Sequence, residues 1–202
     1  MQLDFTQLSK AESYRWLAST VTPRPIAWVT TLSADGKSNL APFSFFQVIS
    51  DSPPTLLVNT SVREDGSVKD TLRNVRETGE LVIHLVSAAQ AEAMNATAAW
   101  LPHGDSEIEH AGIATLPSER VAPPRVVGAP VAFECQLAEI MPYPAQNPSS
   151  MLIFARVLLA HIDESVMQDE RHVDPAKLDL VGRLGGTQYS YTRDTFSMIR
   201  PR

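Results

Sequence analysis

Asn39-Leu40-Ala41-Pro42-Phe43-Ser44-Phe45-Phe46 alternates small or polar side chains with aromatic ones, and a proline sits in its middle. Upstream, Ile26 to Leu32 is β-branched and aromatic and Asp35-Gly36 is a turn signal, so Ser38 to Ile49 is expected to run back as the second arm of a hairpin. Pro42 has no N–H to give a ladder, which marks an edge, a bulge or an open place where a ligand reaches the backbone. Further along, Lys69-Asp70-Thr71 opens a helix. Its expected N-cap is Ser67, with Asp70 at capping-box spacing; Val68, Leu72 and Val75 form one apolar face, and Gly79 ends it.

Working outward, Thr55 to Thr60, Leu81 to Val86, Val131 to Ile140 and Met151 to Ile162 read as further strands, with a loop over Met141 to Ser150. Ser9 and Glu12 have capping-box spacing for an amino-terminal helix carrying Tyr14, Trp16 and Leu17. Ser87 and Gln90 repeat that spacing for a helix from Ala88 to about Ala98. Leu101 to Pro130 is dense in proline and glycine and reads as an excursion with a short acidic helix near Ser106 to Ala111. The expectation is one mainly β domain over residues 1–202, with a helical extension at 1–20 and a helix-decorated β-barrel core at 21–191.

Composition narrows the function classes. Seventeen Lys and Arg against 23 Asp and Glu give a formal charge of -6, which lacks the basic stripe that a nucleic-acid backbone demands. No nucleic-acid partner is expected. The single cysteine, Cys135, rules out an internal disulfide framework and reads as a small core residue. Charged residues interrupt the first twenty positions, and the most apolar run, Met151 to Ile162, is short and broken by Arg156. The expectation is a cytoplasmic protein without a membrane partner.

A helix start offers unpaired N–H groups and a partial positive charge, so Lys69 and Thr71 suit a phosphate monoester; a solvated surface helix would share the same pattern. The Asn39–Phe46 arm could meet a flat heteroaromatic ring, with backbone amides near Ala41, Ser44 and Phe45 at its polar edge. Equally, Phe43, Phe45 and Phe46 could simply be core. Other chemistries find less support. Gly182 to Gly186 is neither a Walker A loop nor a dinucleotide turn, and His84, His103, His110, His161 and His172 lack ligand-pair spacing. His84 reads as a satisfied core histidine, and Asp105, Glu107 and Glu109 as a solvated acidic face.

Arg24-Pro25-Ile26 through Thr30-Thr31, then Asp35-Gly36, Asn39 to Phe46, Pro53-Pro54, Asp65-Gly66, Lys69-Asp70-Thr71, Asn74, Ala93-Met94-Asn95, Glu107, Ala111-Gly112, Glu134-Cys135, and Gly182 to Gly186 with Tyr189 follow one another in order. In that order the chain resembles the flavin reductase-like family with the FMN-binding split barrel. The resemblance implies a Greek-key-like antiparallel split barrel, a homodimer, and FMN near the subunit interface. Thr30, Thr31, Asn39, Ala41, Pro42, Ser44 and Phe45 would line the flavin. Ser61, Arg63, Lys69 and Thr71 would surround its phosphate, and Tyr189 would approach the ring, from the other subunit if need be.

The same resemblance implies an FMN-dependent oxidoreductase of the flavin reductase type. NAD(P)H would give a hydride to flavin N5, and an electron acceptor of unspecified identity would follow, with no protein acid or base named. An FMN-holding electron carrier of the flavoredoxin type and a non-catalytic flavin-binding module are the alternatives. Ala155 departs from the family pattern, where many relatives have glycine, and bears on local backbone packing.

Overall fold

The computed structural model describes residues 1–63 and 65–201; Glu64 and Arg202 lie outside them. In chain order the elements are α1 (Lys10–Thr20), β1 (Ala27–Leu32), β2 (Ser38–Phe43), β3 (Phe46–Asp51), β4 (Pro54–Ser61), α2 (Asp70–Thr78) and β5 (Glu80–Leu85). Then come α3 (Ala91–Ala96), α4 (Glu107–His110), β6 (Thr115–Leu116), β7 (Arg125–Val126), β8 (Val131–Tyr143), β9 (Ser150–Ile162), α5 (Pro175–Leu178), β10 (Val181–Arg183) and β11 (Tyr189–Tyr191).

Seven strands form one sheet in the order β2-β1-β5-β8-β9-β4-β3, and every adjacent pair is antiparallel. The two edge strands, β2 and β3, are therefore neighbours in sequence. The expected single arm from Ser38 to Ile49 is corrected here: it breaks at Ser44-Phe45, and its halves take opposite edges of the sheet. Asn59 N–H donates to the Phe45 carbonyl at 2.9 Å, so the break is tied to β4. The sheet thereby curls until its edges approach without a shared ladder.

The strand β1 is buried on both faces because two clusters flank it. Ala27 and Val29 join Phe43, Val58, Leu72, Leu81, Ile83 and Ile153 in the main core. On the other side Trp28 joins Ile26, Leu40, Met94, Ile108 and Val126. Cys135 belongs to the main core, and burial pushes its thiol up to about 12. Ala155 is also fully buried there, opposite Leu56 and Leu137, so its methyl is packed. His84 is the satisfied core histidine expected: Val126 N–H donates to its Nε2 at 3.0 Å, which leaves Nδ1 to donate to the Trp28 carbonyl at 2.8 Å.

Helix α2 lies against this sheet through Leu72 and Val75, both fully buried, each contributing roughly 1.5 to 3 kcal/mol. It ends at Gly79, whose φ of 72° is the left-handed cap. Its start differs from the expectation. Lys69 is the N-cap, with no side-chain cap, and Ser67 lies outside the helix. Asp70 caps nothing there: its carboxylate takes Arg73 Nη1 at 2.7 Å, His103 Nδ1 at 2.6 Å and the Gly104 amide at 3.3 Å.

The expected helix from Ala88 to Ala98 is a 3₁₀ turn at Ala88–Gln90 followed by the short α3. The Ser9–Glu12 capping box of α1 forms as read, but Tyr14 and Leu17 are exposed and only Ala18 of that helix is buried. None of the helices among the described residues is long and apolar enough to cross a membrane.

Candidate functional site

Two buried amide-to-hydroxyl bonds fix the start of α2 over β1 and β2. Asn39 Nδ2 donates to Thr71 Oγ1 at 2.9 Å, and Asn74 Nδ2 donates to Thr31 Oγ1 at 3.0 Å. Because Thr71 Oγ1 accepts, its own O–H proton is left to donate elsewhere. Beside this joint lies a cavity of about 240 Å³, bounded by Asn39, Ala41 and Pro42 of β2, by Arg63, by Lys69, Asp70 and Thr71, by Thr97 to Leu101, and by Glu107.

The cavity is electrostatically prepared for an anion. Lys69 is half-buried, its ammonium 5.0 Å from the Phe43 ring centre, and no described carboxylate lies within ion-pair distance of it. Burial, and then the Arg63 charge, hold its pKa below the ordinary lysine range, with Glu107 opposing. The amides of Asp70 and Thr71 have no acceptor among the described residues, as expected of an uncapped first turn. An ammonium, two amides and a hydroxyl thus surround one end of the cavity, a donor set that fits a phosphate monoester.

Glu107 was the residue that sequence reasoning misplaced. It is half-buried, and its Oε2 accepts the Leu40 N–H at 3.0 Å. Burial is the main reason its pKa is raised. The Leu40 amide points outward from the sheet edge, so by antiparallel alternation the amide of Ala41 faces β1 and is not open to a ligand. Pro42, the next outward position, has no N–H at all. The outward edge of this segment therefore presents one amide, and Glu107 occupies it.

Trp100 and Leu101 also went unread. The available signal for Trp100 is an indole immediately before the Pro/Gly-dense stretch that begins at Leu101. Thr97, another wall residue, is held by Trp28 Nε1, which donates to its Oγ1 at 2.8 Å.

Of the residues named from sequence, Asn39, Ala41, Pro42, Arg63, Lys69 and Thr71 meet at this cavity. Thr31 lies directly behind it, bonded by Asn74. Thr30 points to the other side of the sheet, its hydroxyl donating to the Pro124 carbonyl at 2.7 Å. Ser44 and Phe45 sit at the break between β2 and β3, with Arg24 Nε 3.4 Å from Ser44 Oγ and the Tyr14 ring 6.1 Å from that of Phe45. Ser61 is exposed at the end of β4. Tyr189 is on β11, its hydroxyl 3.4 Å from Asn95 Oδ1 and its ring under Arg183, away from the cavity in this chain.

Residues 19–177 match the flavin reductase like domain. The chain belongs to the flavin reductase-like family. An uncharacterised family relative from Halalkalibacterium halodurans is 37% identical across the whole of this chain and 97% of its own. The crystal structure of nitrilotriacetate monooxygenase component B from Bacillus cereus superposes with a TM-score of 0.93 at 31% identity, covering 98% of each chain. A flavin reductase with a split barrel domain from Shewanella frigidimarina superposes with a TM-score of 0.85 at 17% identity over both full chains, and shares the fold. The fold is the split barrel of flavin reductases. Tyr189 falls outside the matched segment.

Proposed function

We propose that this chain is an FMN-dependent NAD(P)H oxidoreductase of the flavin reductase type, acting in the cytoplasm as a homodimer. One observation carries the reading: a half-buried ammonium, open helix amides and a free hydroxyl converge beside the small-residue edge strand Asn39–Pro42. Lys69, Thr71 and the first amides of α2 would hold the phosphate, and Arg63 would add charge at the mouth. Ala41 and Pro42 leave space beside the strand for a flat ring. Bound FMN would supply the redox chemistry, taking a hydride from NAD(P)H at N5 and passing the electrons on. The protein's part is positioning and charge, so none of its side chains is assigned as a general acid or base.

Exposed apolar residues support the homodimer. Tyr14, Leu17, Phe45, Val48 and Ile49 face solvent in one chain, and β3 is an open sheet edge. A partner covering this region would also be able to bring a second Tyr189 toward the ring. Light scattering should give a mass near twice 22.2 kDa at micromolar concentration. A monomer that still holds flavin would end the shared-site reading.

The deciding experiment is a visible spectrum of the purified, FMN-reconstituted protein followed by anaerobic titration with NADH and NADPH. Flavin bleaching within seconds supports the oxidoreductase. Bound flavin that neither nicotinamide bleaches indicates an electron carrier, and failure to bind any flavin rejects the proposal.

A further inference from the structure

Beside the turn between β8 and β9, one end of the barrel leaves the main core uncovered. A concave mouth of about 660 Å³ opens there, bounded by Val62 and Val68, by Leu137 and Ile140 of β8, by Met151 of β9 and by Arg76 of α2. All five of these aliphatic side chains pack in or against the main core, so the mouth is the core's own unroofed end. Its volume falls within the usual range of about 300 to 1,000 Å³ for small-molecule pockets, and barrel mouths are a common place for them. Leaving this much apolar wall in water forfeits burial that a ligand would recover.

The lining decides the chemistry of that ligand. Among the described residues no aromatic side chain borders the mouth, so its walls suit an aliphatic chain and offer a ring no stacking platform. Arg76 is the one charged side chain among the described residues that line it, and no described carboxylate lies within ion-pair distance of it. Its stem can lie along the apolar wall while the guanidinium stays at the wet rim, where its fork matches a carboxylate.

The mouth also shares its wall with the phosphate cavity. Val62 and Val68 line the mouth, while their chain neighbours Arg63 and Lys69 line the cavity. Arg63 N–H donates to the Ser67 carbonyl at 3.0 Å, which joins the two valine-cation pairs through the backbone. We infer that the barrel mouth binds a straight-chain monocarboxylate, its chain on the aliphatic wall and its carboxylate on Arg76, and that this ligand is an effector of the phosphate cavity. Packing Val62 and Val68 orders the backbone that carries Arg63 and Lys69, so the cavity's ligand then binds more tightly. The effector role rests on the phosphate site proposed above; the binding itself does not.

The test titrates full-length protein, with and without FMN, with octanoate in a calorimeter. Octanoate should bind saturably, and each methylene from butyrate to octanoate should tighten binding by about two- to fourfold. Octanamide, which lacks the charge, should bind about tenfold more weakly, and Arg76→Gln should lose octanoate by the same factor while Arg76→Lys keeps most of it. Arg76 is exposed, so these variants should melt like the parent. In saturating octanoate the FMN affinity, read by flavin fluorescence, should rise by about fivefold, and FMN should tighten octanoate by the same factor. No octanoate binding, or binding indifferent to Arg76, overturns the inference. Binding that Lys69→Ala abolishes and Arg76→Gln spares lies in the phosphate cavity and overturns it as well. Octanoate binding that leaves FMN affinity unchanged or weaker overturns the effector role. Failure of FMN to bind, with octanoate bound at Arg76, would instead count against the flavin reading alone.

Discussion

Lys69 carries the sharpest prediction at the scale of single residues. A charge-assisted hydrogen bond contributes roughly 1.5 to 3 kcal/mol, so Lys69→Ala should weaken FMN by about ten- to a hundredfold. Riboflavin, which has no phosphate, should bind the variant about as it binds the parent; equal losses for both in a fluorescence titration would remove Lys69 from the phosphate. His84 offers a prediction of a different kind. Burial holds its pKa down to about 4, against about 6.5 for a free ring. Unfolding restores the higher value, so the unfolded chain takes up a proton that the folded chain refuses. The stability present above about pH 6.5 is therefore lost as pH falls toward 4. Denaturant unfolding should lose about 2 kcal/mol from this group between about pH 7.5 and pH 5. NMR should show a ring that stays neutral across that range, and a midpoint near 6.5 would contradict the burial. Both residues were legible from sequence, Lys69 by its place before an apolar helix face and His84 by its apolar strand. Glu107 was not, because an acidic residue on a four-residue helix looks solvated until the strand edge beneath it is known.

Element by element, α4 acts as a cover for the open edge of β2. Its Glu107 supplies the acceptor that a neighbouring strand would otherwise provide to Leu40. Glu107→Ala should cost about 1 kcal/mol, seen as a fall of about 2 to 4 °C in melting temperature, while Glu107→Gln keeps an acceptor and most of the stability. Removing the negative charge near Lys69 should leave FMN binding at least as tight in the Gln variant. A Gln variant that melts like Ala would mean that charge, rather than the hydrogen bond, holds this edge. The strands themselves were readable because β-branched runs and turn residues mark them locally. The break at Ser44-Phe45 was not. It depends on which partners β2 and β3 find, and β3's partner β4 and β2's partner β1 lie on opposite sides of the sheet order. The first turn of α2 was misjudged for a similar reason, since Asp70 is claimed by His103 and Gly104 from a distant loop.

On the scale of the whole molecule, the seven-stranded sheet is joined through the last of its own strands, β8 and β9. The β2-β1-β5 unit reaches β4-β3 across the sheet only by way of β8 and β9, which pair with β5 and β4 respectively. A chain emerging from the ribosome can therefore pair only two sheet fragments, β2-β1-β5 and β4-β3, by the time Pro130 appears, joined through the Ser44-Phe45 connection with no ladder between them. Thr55 to Ser61 must wait for Ser150 to Arg156 before its second edge is satisfied. Chains halted near residue 130 should be cut rapidly by protease, and resistance should arrive in one step once residues through Ile162 are free to pair. Until then β4 is an apolar strand with one unpaired edge, open to any neighbouring nascent chain on the same message. The β8–β9 hairpin that joins the two halves of the sheet in the finished protein thus makes its synthesis a race between that pairing and aggregation.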